Sequence, residues 1–144
     1  MQPLSAKPSA EAVDLVAFAL RVALGTMFLA HSLILKLTVF TLPGTAQFFV
    51  SIGLPGFLAY VVFAMEAVGG LLLLLGVQTR LVALALLPIL AGATWAHSGS
   101  GWMFANPNGG WEYPAYLTLL AAAQAVLGDG AFAMSRSASS PSAA

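Results

Sequence analysis

Residues 57–96, FLAYVVFAMEAVGGLLLLLGVQTRLVALALLPILAGATWA, are almost continuously apolar and are broken only at Gly76–Arg80 (GVQTR). The hydrocarbon core of a bilayer is about 30 Å thick and takes about 20 apolar residues in helical form, so this run makes two spans and not one. Gly76 suits a helix that stops in the left-handed conformation, and Gln78, Thr79 and Arg80 form a polar hairpin tip. The spacing predicts helices over 57–75 and 81–97. Pro88 falls inside the second, where it produces a kink that membrane helices tolerate.

Outward from this pair, two further apolar segments appear. Residues 12–37 make a first span of about 25 residues, or about 38 Å of helix, enough to cross with tilt. A cleaved signal peptide is the alternative, but the apolar run is too long for one, and Glu11 and Asp14 spoil a basic leader. Between Pro43–Gly44 and Pro55–Gly56 lies a short segment, 43–53, in which Phe48, Phe49 and Ile52 share a helical face opposite Thr45 and Ser51. That pattern fits a helix lying in the membrane interface. On the other side, a Gly/Asn/Pro-rich connector leads to a short fourth span over 113–127, with Pro114 in its first turn and Gly128 as its stop. The lead 1–11 and the tail 135–144 (SRSASSPSAA) have the composition of disordered ends. The fold class expected is all-α, a polytopic membrane four-helix bundle.

Composition agrees. Of 144 residues, 60% are hydrophobic and 7% charged, with a mean hydropathy of +0.92, whereas soluble domains carry about 25% charged residues. Five basic and five acidic side chains give no net charge and no basic block, so nucleic acid is excluded as a partner. The absence of cysteine rules out disulfides, iron–sulfur clusters and thiolate metal sites, and no metal site is predicted. With an even number of spans, Lys7, Arg21, Arg80 and Arg136 fall on or near one side and Lys36 on the other. The positive-inside rule then puts both termini in the cytoplasm. Trp95, Trp102, Trp111, Tyr113 and Tyr116 gather at the opposite interface, with Tyr60 beside them.

Ionisable side chains within lipid cost roughly 2.5–3.5 kcal/mol each on insertion scales and ask for a partner. Arg21 and Glu66 lie at matching depths, about 13 and 15 Å from the same membrane face, and a structural ion pair between them is expected. Gly25, Gly69 and Gly70 beside them would let the two helices close in. On one reading Arg21 snorkels to the headgroups and the pair merely fixes packing; on the other Glu66 is a substrate-binding or proton-handling carboxylate. At the outer face stand His31, His97, Lys36 and Glu112. Histidine titrates near neutrality and can carry protons or ligate haem; a plain hydrogen-bonded interface role is the alternative. On an ideal α-helix His31 and Lys36 are about 140° apart and do not share a face.

These residues also bring a resemblance. From Arg21 to Asp129 the chain resembles the DoxX family, small four-helix membrane proteins of bacteria. The likeness rests on Arg21-Val22-Ala23-Leu24-Gly25 followed by His31 and Lys36; on Phe48 through Gly53-Leu54-Pro55; on Glu66-Ala67-Val68-Gly69-Gly70 with Leu75-Gly76 and Thr79-Arg80; and on Gly109-Gly110-Trp111-Glu112-Tyr113-Pro114. Ser32 departs from the pattern, since the family often has glycine after the histidine. The resemblance implies an inner-membrane protein linked to redox metabolism, its relatives including the small subunit of a thiosulfate:quinone oxidoreductase and proteins associated with quinone, catechol or oxidative stress.

Three functions follow as expectations. The first is a quinone-linked redox accessory, with His31, Lys36, His97 and Glu112 binding quinone as the cofactor, Glu66 and His31 as catalytic residues, and electrons passing to a partner protein, since no dinucleotide fingerprint is present. The second is a non-enzymatic anchor or assembly subunit, packing on a partner or a second copy through Ala19/Ala23, Gly92/Ala96 and Ala121/Ala125. The third is a small transporter, which would need oligomerisation.

Overall fold

A computed structural model describes residues 7–135. Among them the chain is all-helical, with five α-helices: α1 (Ala10–Leu29), α2 (Leu42–Ser51), α3 (Leu58–Leu75), α4 (Thr79–Ala96) and α5 (Glu112–Leu127). Residues 1–6 and 136–144, which hold most of the expected disordered lead and tail, lie outside the described residues. Helix α1 starts at Ala10, ahead of the expected 12, because the Ser9 hydroxyl accepts the Ala12 amide at 3.2 Å, satisfying one orphan donor of the first turn. It then continues without a break as a π-helix over Ala30–Val39.

Around the bundle α1 packs on α3, α3 on α4, α4 on α5 and α5 back on α1, while α2 lies against α3. The core is Leu24, Phe28, Leu73, Val82, Leu86, Leu90 and Ala121. Outside it the molecule is apolar as well: Leu15, Val16, Val68, Leu81, Leu84, Leu119 and Val126 all face outward. Three helical stretches, Ala10–Val39, Leu58–Leu75 and Thr79–Ser100, are long and apolar enough to cross a membrane, and of the most apolar 18 residues in each only 28, 28 and 22% are buried inside the protein. Water would not tolerate so much uncovered hydrocarbon; the chain is a multi-pass membrane protein in contact with the lipid bilayer. Helix α5, of 16 residues, is about 24 Å long and falls short of the hydrocarbon thickness.

The α1–α3 contact is made backbone to backbone. A Cβ built on Gly25 would come within 2.8 Å of the Gly70 carbonyl oxygen, and one on Gly70 within 3.0 Å of the Gly25 oxygen. Gly69, one residue round, is covered by Leu86 of α4. Overpacking so tight a crossing costs about 1–3 kcal/mol, so Gly70→Val is expected to lower the detergent-solubilised Tm by roughly 3–9 °C. Gly92→Val, where nothing lies within 4 Å, should leave it unmoved in the same thermal scan.

At the α3–α4 turn Gly76 has φ +68° and ends α3, and Gln78 (φ +49°) opens α4. Helix α2 occupies the segment expected at the interface, but its buried residue is Thr45, whose hydroxyl donates to the Thr41 carbonyl, while Phe48 and Val50 face outward.

Candidate functional site

The ends of the bundle carry different chemistry. At the near end, where α1 begins and α3 finishes, Arg21 is fully buried. Its Nε donates to the Asp129 carbonyl (3.0 Å), Nη1 to those of Leu73 (2.9 Å) and Leu74 (2.8 Å), and Nη2 to that of Ala131 (2.9 Å). The guanidinium therefore caps the C-terminus of α3, where carbonyls lack helical partners and the helix dipole is negative. It also ties the segment leaving α5 to the same point. The Phe18 ring lies 5.3 Å below its central carbon.

The expected Arg21–Glu66 ion pair is therefore not formed. Depth was matched but direction was not: every Cα–Cβ bond in a helix leans toward that helix's N-terminus. α1 and α3 run antiparallel, so Arg21 leans toward the near end and Glu66 toward the far one. By the same rule a residue further along α1 leans back to meet Glu66. That residue is Lys36, whose Nζ donates to Glu66 Oε2 at 2.7 Å, with 16 and 7% of the two side chains exposed.

Lys36 reaches Glu66 from the π-helical stretch. There the amide of residue i+5 closes on the carbonyl of residue i, as Phe40 does on Leu35 at 2.8 Å. The wider π winding turns less per residue than an α-helix, so His31 and Lys36, about 140° apart on an ideal α-helix, come closer to one side of the axis. His31 is near enough to interact electrostatically with Glu66. Side chains hold the carbonyls at the change of register: His31 Nδ1 is 3.0 Å from the Met27 oxygen, and the buried Ser32 hydroxyl donates to Phe28 (2.9 Å) and Leu29 (3.2 Å). A carbonyl only accepts, so Nδ1 of His31 is the nitrogen that donates to Met27, and Nε2 is left outside that bond.

Above His31 lies the ring of Tyr113, nearly parallel at 21° and 5.9 Å between centroids, and Tyr113 in turn meets Phe104 at 5.5 Å. Lys36, Glu66 and His31 thus form one group, with Tyr113 as its aromatic cover. The other two expected ligands stand apart from it. His97 stacks on Phe48 at 6.5 Å, and its Nδ1 is 3.0 Å from the Asn108 carbonyl. Glu112 Oε2 accepts the Phe104 amide at 3.1 Å and so organises the connector. Tyr113 was visible in the sequence only as one of several interfacial aromatics; its place directly after Glu112 in the Trp111–Pro114 run was the available signal.

An apolar groove of about 360 Å³ opens between α3 and α4, lined by residues that include Met65, Val68, Gly69 and Leu86. It runs along the side of α3 that faces α4, and neither Glu66 nor Lys36 lines it.

The model of the family described as DoxX matches residues 16–99, more than half of the chain, including Arg21, His31, Lys36, Glu66 and His97. The chain is also similar to the "Putative oxidoreductase CatD" of Bacillus subtilis (strain 168), 45% identical over 75 residues that cover 51% of this chain and 53% of that protein. It thus spans about half the length of this curated relative. No solved structure matches the chain significantly.

Proposed function

The chain belongs to the DoxX family, and from that premise we propose that it is a quinone-linked redox accessory, a small subunit of an oxidoreductase system in the bacterial inner membrane. The observation that carries this reading is the buried Lys36–Glu66 pair, with the His31 imidazole close enough to act on Glu66 electrostatically. Ionisable groups held within lipid are costly and most often serve a pathway or a substrate. The relative's name, an oxidoreductase, points the same way.

A quinone headgroup is flat and apolar, with two carbonyl oxygens that only accept. Lys36 has three donors and gives one to Glu66, so donors remain for a quinone oxygen. When a bound quinol is oxidised it releases two electrons and two protons. Glu66 would take one proton and His31 Nε2 the other, with the electrons leaving to a partner oxidoreductase that carries its own redox cofactor. In this reading the chain crosses the bilayer four times, α5 included, with α2 in the interface and both termini cytoplasmic, as the placing of Lys7, Arg21 and Arg80 favours.

Titrating the purified protein with a short-tailed benzoquinone, read by tryptophan quenching, tests the proposal. Saturable binding is expected, weakened about tenfold or more, some 1.4 kcal/mol, by His31→Ala or Lys36→Met. A wild-type protein that shows no saturable quenching would remove the quinone from the argument.

A second reading, a non-enzymatic anchor or assembly subunit, draws on the outward-facing small residues Ala19 and Ala23 of α1 and Gly92 of α4. Small faces suit helix packing against another membrane chain or a second copy. A stoichiometric co-purifying partner or homo-oligomer without quinone binding would favour it.

A further inference from the structure

Glu112 lies away from the ion pair, yet a continuous series of contacts leads from it to the site. Its carboxylate oxygen accepts the Phe104 amide at 3.1 Å. Two backbone bonds, Trp111 N–H to Gly101 at 3.1 Å and Glu112 N–H to Trp102 at 3.0 Å, fold residues 101–112 into a closed loop around that anchor. The Phe104 ring then rests against Tyr113 at 5.5 Å, and Tyr113 covers the face of His31 at 5.9 Å. Phe104 and Tyr113 remain 62 and 38% exposed, so little packing holds the cover shut, whereas the bonds to Glu112 and the loop backbone fix where it sits.

We infer that Tyr113 is the access- and specificity-determining residue of the His31–Lys36–Glu66 site, and that Glu112 is its positioning residue, acting through Phe104. A ligand reaching the site from the far end passes under the Tyr113 ring. A flat aromatic ring can slide along that face and along the imidazole in offset-stacked fashion; a bulky saturated headgroup has no such path. Glu112 touches no ligand in this scheme. It holds the loop so that Phe104 backs Tyr113, and without it Tyr113 is free to swing away.

The inference rests on the quinone reading for what enters, but its test does not need a quinone. Diethyl pyrocarbonate acylates an unprotonated imidazole nitrogen, and in each histidine Nδ1 is turned to a carbonyl, which leaves Nε2 as the nitrogen open to the reagent. The rate at each histidine is followed by mass spectrometry on the full-length protein in detergent. Tyr113→Ala is expected to speed modification of His31 by about fivefold or more, as removal of a lid does, with His97 unchanged. Tyr113→Phe keeps the ring and should stay near the wild-type rate. Glu112→Ala should speed His31 severalfold, and Glu112→Gln, which keeps an acceptor for the Phe104 amide, should restore the slow rate. An unchanged His31 rate in Tyr113→Ala overturns the gate. Equal acceleration of His31 and His97 in Glu112→Ala shows general loosening of the connector and overturns the role given to Glu112. Saturating short-tailed benzoquinone should protect wild-type His31; if the variants behave as stated and protection is absent, the gate stands and the quinone reading fails alone.

Discussion

Arg21→Met is expected to abolish accumulation of folded protein, and Arg21→Lys to leave a protein that survives extraction but melts well below the wild type. The guanidinium makes four hydrogen bonds to carbonyls of Leu73, Leu74, Asp129 and Ala131 at 2.8–3.0 Å. Hydrogen bonds from a charged donor contribute about 1.5–3 kcal/mol each, and a buried group left without its partner costs about 1–3 kcal/mol. Even with generous discount for non-additivity, losing the whole set exceeds the stability of a small domain, about 5–15 kcal/mol, at its lower end. Methionine supplies no donor. Lysine keeps the charge at the C-terminus of α3 but presents three donors from one point, which cannot reproduce the planar fork.

An independent lever acts on the same bonds. A Cβ on Gly76 would fall 2.6 Å from Arg21 Nη1 and 2.7 Å from the Ala133 Cα, at a φ of +68° that already disfavours any side chain. Gly76→Ala should therefore resemble Arg21→Lys in fluorescence-detected size-exclusion profiles and in Tm. If Arg21→Lys instead matched the wild type, the charge alone would suffice and the hydrogen-bonded fork would be irrelevant to folding.

How much of this could be read from the chain depends on how local each cause is. Helix ends are local: Gly76 needs only its own φ to stop α3, and the helices found at Leu58–Leu75, Thr79–Ala96 and Glu112–Leu127 lie within two residues of those expected at 57–75, 81–97 and 113–127. The close approach at Gly25 and Gly70 follows from small residues at matching depth. Pairing is not local. Arg21 and Glu66 match in depth, but the lean of their side chains in antiparallel helices carries them apart, a vector that a depth count omits. The π register of residues 30–39 was hidden for a further reason. Its surroundings are lipid, so apolar residues such as Leu33, Ile34, Leu37 and Val39 face outward, and no polar periodicity records the change of winding. Without that register His31 and Lys36 seem to diverge, and the site does not assemble on paper. Tyr113 needed the fold of the connector, which is set by backbone bonds that no side-chain pattern announces.

The second large effect is expected at the ion pair itself, and it separates stability from function. Lys36→Met leaves the Glu66 carboxylate, 7% exposed, without its ammonium; Glu66→Leu leaves the lysine, 16% exposed, without its carboxylate. Breaking a buried pair from one side costs about 3–5 kcal/mol, whereas replacing both partners by apolar residues of similar volume is often neutral or stabilising. Lipid sharpens the contrast, because a lone charge finds no water there, although neutralisation of the orphaned group limits the loss. The single variants should therefore melt far below the wild type, while the Lys36→Met/Glu66→Leu double variant should return to within about 1 kcal/mol of it. A pair that serves only packing would then be dispensable, and the double variant would keep whatever the protein binds. A pair that serves a quinone would not: the double variant, folded and stable, should lose saturable quenching by short-tailed benzoquinone altogether. Recovery of stability together with intact quinone binding would reduce the ion pair to a structural device. Failure of the double variant to recover stability would mean that the charges hold the π-helical register and not merely each other, since it is from that winding that Lys36 reaches Glu66.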